Sequence, residues 1–296
     1  MFIPLRKSID FTIGRVSFLE WKGPQHAPLI VFAHANGFNA NTYRALLTPL
    51  AEEFRVVAFD MRGHGMTDLP TDRRLASGWR IYRDDLLKVI EHFAKSKLLL
   101  AGHSLGASAS LMAAAERPAN VRGAVLVEPV LPPLGLALRA VVARLVGREE
   151  KMLPRVGPAR RRRAVFESRE QAVAAFRGRG AFKTWPDETV ADYIAGGTEP
   201  APGGYRLSCA PEWEAQNFAV FPSGLAALAA RLRVPLTVLQ AAQKSSAPKS
   251  EMERIRAVNC EARIVRVEGT THFLPMERPD VVREEIIATA ERAGMR

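Results

Sequence analysis

The sequence predicts an α/β fold: a mostly parallel, doubly wound sheet with a helical segment inserted late in the chain. Three observations predict it. Apolar runs at 29–33, 55–59, 97–102, 121–127, 234–240 and 262–267 alternate with helix-patterned stretches. That rhythm belongs to parallel strands whose connections cross the faces of a sheet. The third of these runs ends in Gly102-His103-Ser104-Leu105-Gly106 and passes directly into an alanine-rich helical stretch. After Glu128 the rhythm stops until Arg233, a gap of roughly 100 residues and far too long for a loop.

The elements follow in order. Residues 8–22 alternate apolar and polar around Gly14 (Ile9, Phe11, Ile13, then Val16, Phe18, Trp21), which predicts an antiparallel hairpin. Helices are expected at 41–52, 79–94, 104–116, 248–257 and 278–293. Pro118 stands just past the third of these, a suitable stop. The gap carries helical patterns at 134–147, 168–177 and 187–195, then a Gly/Pro-rich stretch at 200–204. It is expected to be a helical cap over residues 130–225, inserted into a core of residues 1–129 and 226–296. Residues 134–146 are apolar except for Arg139 and Arg144. They are expected to pack against the sheet domain and cover a pocket, rather than lie in a membrane interface.

Composition limits the function classes. The 296 residues are 47% hydrophobic and 25% charged, enough for an ordinary core without staples. Cys209 and Cys260 are the only cysteines, so neither a disulfide framework nor a cysteine metal site is expected. No apolar run is long enough to span a membrane, and the N-terminus lacks an export pattern. A cytoplasmic enzyme is the simplest expectation. The net charge of +11 is concentrated: positions 139 to 183 hold 13 Lys or Arg against 4 Glu, including Arg160, Arg161, Arg162 and Arg163. No aromatics interleave with these arginines as a nucleic-acid platform would need, so no nucleic-acid partner is expected. The arginine run is expected to face solvent.

The chemistry starts at Ser104. A strand that turns sharply into a helix forces unusual backbone angles on the apex residue, and flanking glycines remove clashing side chains. The hydroxyl is then held over the end of the sheet. Three more apolar runs end in polar or Gly-rich turns: His34-Ala35-Asn36-Gly37-Phe38, Asp60-Met61-Arg62-Gly63-His64-Gly65 and Gly269-Thr270-Thr271-His272-Phe273. Such turns at strand ends are where α/β folds place their chemistry.

On these four segments the chain resembles the α/β-hydrolase superfamily, of the capped serine esterase type. The resemblance covers about the first 130 and the last 65 residues. It implies Ser104 as nucleophile and His272, in the loop after the last strand, as its base. It implies backbone amides of Leu105 and Asn36 as an oxyanion hole. His26 and His92 are expected to face solvent, His34 and His64 to shape turns, and His103 to point away from the nucleophile. The superfamily usually keeps its acid after the seventh strand. Here Gln240-Ala241-Ala242-Gln243-Lys244-Ser245-Ser246 offers no carboxylate before Glu251. Glu128 directly follows the sixth strand, a position used by one branch of the haloalkane dehalogenases. Glu128 is therefore the expected acid. The aspartate nucleophile of the dehalogenases and epoxide hydrolases is absent, since Ser104 stands in its place. Asp60 and Arg62 are expected to form a structural turn pair.

The expected function is hydrolysis of carboxylic esters or related acyl compounds through an acyl-enzyme, with no cofactor and no metal. The partner is a small-molecule acyl substrate. A ligand-binding protein on a hydrolase scaffold is the alternative, supported by the missing carboxylate after the seventh strand. An anion-binding role for the basic segment is a weaker third.

Overall fold

A computed structural model describes residues 2–72, 78–116 and 118–296. The main sheet has eight strands: β1 Leu5–Phe11, β2 Gly14–Trp21, β3 Leu29–Ala33, β4 Arg55–Phe59, β5 Leu98–His103, β6 Val121–Val127, and, late in the chain, β10 Leu236–Ala241 and β11 Arg263–Val267. Their order is β1-β2-β4-β3-β5-β6-β10-β11. β1 pairs antiparallel with β2, and β2 antiparallel with β4. All further pairings are parallel.

The continuous apolar runs have a structural cause. β3, β5 and β10 are buried along their whole length because helices cover both faces. Alternate residues of β3 serve different cores. Leu29, Val31 and Ala33 join the layer containing Leu86, Leu111 and Ile255. Ile30 and Phe32 join the opposite layer, with Leu46 and Ile286. Burying a Leu, Ile or Phe contributes about 1.5–3 kcal/mol, so this two-sided packing is the main source of stability. Arg80–His92, Leu105–Ala115, Lys249–Val258 and Pro279–Arg292 are helices, close to the expected spans. The stretch 41–52 is not one helix. It runs as 3₁₀ turns at Ala40–Tyr43 and Thr48–Glu52 around a single α-turn at Arg44–Leu47. Pro49 lacks the N–H that a continuous helix would need.

The rhythm breaks after β6. The intervening segment holds helices at Leu134–Leu145, Glu149–Met152, Val156–Arg160, Arg169–Phe176, Asp187–Gly197 and Pro211–Phe218. It also holds a small antiparallel sheet, β7 Val165–Phe166, β8 Thr198–Ala201 and β9 Gly204–Leu207, in the order β7-β9-β8. The Gly/Pro-rich stretch is thus the turn of a hairpin. Gly203 and Gly204 hold φ of +79° and +135° there, angles that suit glycine. The strands are two to four residues long, too short for alternation to mark them.

The apolar helix Leu134–Leu145 departs from expectation. Its alanines Ala137, Ala140 and Ala143 are buried, while Leu138 is 56% and Leu145 81% exposed. Small residues give close backbone approach on the inner face, and the leucines are turned outward.

Candidate active site

Ser104 sits between β5 and the Leu105–Ala115 helix with φ 56° and ψ −116°. This strained conformation persists only where the surroundings over-determine it. Here the surroundings are the close packing of two glycines. A Cβ on Gly106 would lie 2.2 Å from the carbonyl oxygen of Ala33, and one on Gly102 would lie 2.7 Å from the backbone of Gly106. No other residue fits at either place, which is why the turn can be so tight.

His272 lies beyond β11, with its Nε2 3.0 Å from Ser104 Oγ. Its Nδ1 lies 3.1 Å from Glu128 Oε2. With the Nδ1 proton directed at the carboxylate, Nε2 is free to accept from the serine hydroxyl. The structure therefore brings together the three residues singled out in the sequence. Glu128 is fully buried, at φ +49°. Its carboxylate is amply supplied with donors. Oε1 accepts from the Ala241 amide and Ser245 Oγ, each at 2.6 Å. Oε2 accepts from the Ser246 amide at 2.9 Å. The loop after β10 thus contributes donors to a carboxylate carried by the neighbouring strand. Ser246 Oγ also donates to the Glu128 carbonyl at 2.8 Å and stands 3.1 Å from His272 Nδ1. Glu251 is engaged elsewhere, by Arg254 at 3.0 Å.

A second network holds the turns that surround Ser104. The Ala35 amide donates to Tyr43 Oη, Tyr43 Oη lies 2.7 Å from His103 Nδ1, and His103 Nε2 lies 2.8 Å from the His272 carbonyl. Tyr43 was not singled out from the sequence. It has no motif, only a place in a 3₁₀ turn. His103 does point away from Ser104, but it braces the backbone of His272. The loop of His272 is also held by Glu277, which accepts from the Thr271 amide and hydroxyl at 2.6 Å each.

His34 and His64 cross-link two strand-end turns. His34 Nε2 accepts from the Met61 amide at 2.8 Å, and His64 Nε2 from the Gly37 amide at 2.9 Å. Their Nδ1 atoms face the carbonyls of Ala35 and Arg62. Only the neutral ring can accept at Nε2, and burial lowers the pKa of His34 to about 4 and of His64 to about 3. His26 and His92 are exposed. Asp60 and Arg62 are both structural, but they do not pair with each other. Asp60 accepts from the Ala40 and Met66 amides and from Arg6. Arg62 forms a two-pronged pair with Asp85, at 2.7 and 2.8 Å.

Ser104, His272 and Asn36 open onto a cavity of about 270 Å³. The side chain of Asn36 is turned into the inserted segment: its Nδ2 donates to the Glu214 carbonyl, and its Oδ1 accepts from Asn217 Nδ2. Its backbone N–H has no protein acceptor among the described residues. Leu105 is the first residue of its helix, a position whose N–H has no intrahelical partner. Phe38, Phe218 and Phe273 supply apolar lining. Phe38 and Phe273 pack around Trp185 of the inserted segment, with centroids 5.1 and 5.8 Å from it.

The cationic lining corrects the expectation for the arginine run. Arg160 and Arg161 pair with Glu150 on the surface, and Arg163 bonds Gln171. Arg162 instead lines the cavity beside Arg155, Lys183 and Lys244. It pairs with Glu214 at 3.0 Å. Burial pushes the Glu214 carboxyl up to about 7, with Arg162 opposing. The helix Leu134–Leu145 contributes nothing to this cavity. Neither Glu214 nor Arg155 carried any sequence signal.

Among the described residues, no group of His, Cys, Asp or Glu could hold a metal ion, and no helix is long and apolar enough to cross a membrane. Cys209 is buried, Cys260 exposed, and both are free.

Comparison with known proteins places this geometry. The chain is 25% identical to the 2-(acetamidomethylene)succinate hydrolase of Mesorhizobium japonicum over 274 residues, 93% of this chain and 91% of that protein. It is 29% identical to the monoglyceride lipase of Rattus norvegicus over 143 residues, 45% of this chain and 46% of that protein. Among solved structures, an E-2-(acetamidomethylene)succinate hydrolase superimposes with a TM-score of 0.79 at 24% identity, over 98% of this chain and 100% of that one. The thioesterase domain from the curacin biosynthetic pathway has a TM-score of 0.79 at 21% identity, over 96% and 99%. These two show the shared fold. A profile of the alpha/beta hydrolase family matches residues 30–285, which takes in the strained serine turn, the Glu128 strand end and the His272 loop: the chain belongs to the alpha/beta hydrolase family.

Proposed function

We propose that the protein is a serine hydrolase that cleaves carboxylic esters or related acyl compounds through an acyl-enzyme. The observation that carries this is the unbroken hydrogen-bonded line from Ser104 Oγ through His272 to Glu128, opening on a closed-in cavity. Ser104 Oγ attacks the acyl carbonyl while its proton passes to His272 Nε2. Glu128 orients the ring and stabilises the imidazolium. The Leu105 and Asn36 amides hold the oxyanion, at no reorganisation cost as charge develops. His272 then gives its proton to the leaving group, and the C–O, C–N or C–S bond breaks. A water, deprotonated by the same nitrogen, releases the acid and regenerates Ser104.

Residues 130–225 act as a lid in this scheme. Its contacts with the sheet domain are specific: Asn36 and Asn217 bond each other, Asn39 Nδ2 donates to the Tyr193 carbonyl, and Trp213 Nε1 donates to the Arg62 carbonyl. The names of the relatives span a 2-(acetamidomethylene)succinate hydrolase, a monoglyceride lipase and a 3-oxoadipate enol-lactonase, so the family link supports hydrolysis more broadly than ester cleavage. A ligand-binding protein without turnover drew its support from the missing acid after β10. With a carboxylate 3.1 Å from His272, that support falls away.

Turnover of a short p-nitrophenyl ester tests the proposal. Ser104→Ala is expected to reduce kcat by about 10⁴-fold or more, and an organophosphonate should label Ser104 alone. An active Ser104→Ala variant, or labelling elsewhere, would overturn it.

A further inference from the structure

Several surface cations of the inserted segment pair with near neighbours. Arg160 and Arg161 share Glu150, Arg177 meets Asp187 at 3.0 Å, and Arg206 meets Glu199 at 2.6 Å. The cations on the cavity are Arg155, Arg162 and Lys183 of the inserted segment and Lys244 of the loop after β10. Arg155, Lys183 and Lys244 form no ion pair with a carboxylate among the described residues, and only Arg162 has a partner, Glu214. Four cations therefore face one carboxylate across about 270 Å³.

We propose that this cavity takes an acyl substrate carrying a carboxylate of its own, with Arg155 and Arg162 as the binding residues for that anion. The assignment rests on the hydrolase reading and names its substrate class. Arg155 has the geometry for it. Its guanidinium lies over the Phe218 ring, 5.8 Å from the centroid. With no ion pair to a carboxylate among the described residues, its N–H groups are available for a two-pronged bond to a planar carboxylate. Burial lowers its pKa, opposed by the attraction of Glu128. An anionic substituent would restore what burial removes. Arg162 is aimed by Glu214, whose carboxyl is pushed up to about 7 and so adds less than a full negative charge near neutrality. Phe38 and Phe273 in the lining suit the hydrocarbon between the anion and the scissile carbonyl. A cavity just below the usual range of about 300–1,000 Å³ suits a short diacid derivative rather than a long acyl chain.

The test compares two esters of similar length, p-nitrophenyl pentanoate and the p-nitrophenyl hemiester of adipic acid. Inorganic phosphate and glutarate serve as competing anions. The hemiester is expected to be preferred in kcat/KM by about tenfold or more at low salt, with the difference in KM. The preference should shrink as salt rises, and glutarate should compete better than phosphate. In Arg155→Gln the hemiester-to-pentanoate ratio should fall by about tenfold. Because the ratio is read within one preparation, partial misfolding leaves it unmoved. Hydrolysis of both esters without preference would overturn the anion site and leave the hydrolase reading standing. No hydrolysis, with glutarate still quenching tryptophan fluorescence of the parent protein but not of Arg155→Gln, would sink the hydrolase reading and retain the anion site. Phosphate competing better than glutarate would overturn the carboxylate assignment.

Discussion

The sheet side of the cavity and the inserted side face the same space but are built differently. On the sheet side, Ser104, His272 and Glu128 are nearly or fully buried and held by backbone donors and short hydroxyl bonds. Nothing there depends on a long flexible side chain. On the inserted side, Arg155, Arg162 and Lys183 bring guanidinium and ammonium ends of long chains, joined by Lys244 from the loop after β10, and their partners are few. A reacting constellation must be held to fractions of an ångström. A site that sorts ligands by charge tolerates more play, because Coulomb attraction falls off gently with distance. The difference teaches that rigid, short side chains carry chemistry here, and adaptable ones carry selection.

Removing the sheet-side carboxylate should have the largest effect. Glu128→Gln keeps the shape but presents an amide to His272 Nδ1, favouring the wrong tautomer. A fall in kcat of about 10³–10⁴-fold is expected, measured on the pentanoate ester. A loss below tenfold would break the contrast between the two sides, since the rigid carboxylate would then be dispensable.

The two sides should also respond oppositely to acid. An unfolded chain protonates its histidines near pH 6.5, whereas folded His34 and His64 resist until about 4 and about 3. Folding free energy is therefore fully present above pH 6.5 and is lost as pH falls through that window. His34 alone contributes a loss on the order of 3 kcal/mol. Glu214 works the other way. Its folded pKa of about 7 exceeds the ordinary 4.5, so its contribution grows as pH falls from 7 toward 4.5. Denaturant unfolding at several pH values should show net acid destabilisation, and Glu214→Gln should steepen it. A stability flat or rising from pH 7 to 4 in Glu214→Gln would refute the neutral assignment of the two histidines.

The smallest effect is expected at the surface of the insertion. Glu150→Gln removes the partner of Arg160 and Arg161, and exposed pairs contribute only about 0–1 kcal/mol. Thermal melting should shift by no more than a few degrees, with no change in ester preference. A large change in preference would show that the surface arginines help order the cationic wall.

Legibility in the sequence followed the same division. The Ser104 turn could be read because its constraint is local: two glycines, one strand and one helix within a dozen residues. Glu128 could be read because it directly follows an apolar run that must be a strand, and His272 because it stands in the turn after the last such run, where the resemblance puts the base. Tyr43 and Ser246 could not. Each acts by touching a residue brought close only by folding, and neither stands in a pattern. The helix Leu134–Leu145 shows the same limit from the other direction. Its apolar composition predicted burial, yet packing chose its alanines and left its leucines outside.

By itself, then, the sequence determined which strands of the main sheet form, that this sheet is mostly parallel, where the chain interrupts it, and, with the family resemblance, which serine, histidine and glutamate stand at the strand ends. These follow from apolar periodicity and from steric limits on the backbone, both of which act over short stretches. Only the tertiary structure decided that Arg162 turns inward while Arg160, Arg161 and Arg163 turn outward, and that Arg155 is left without a carboxylate. It also decided that the acid-free loop after β10 holds Glu128 through Ser245 and Ser246. A side chain's direction and its partner's identity depend on segments more than a hundred residues apart, and no local rule of sequence fixes such a distance.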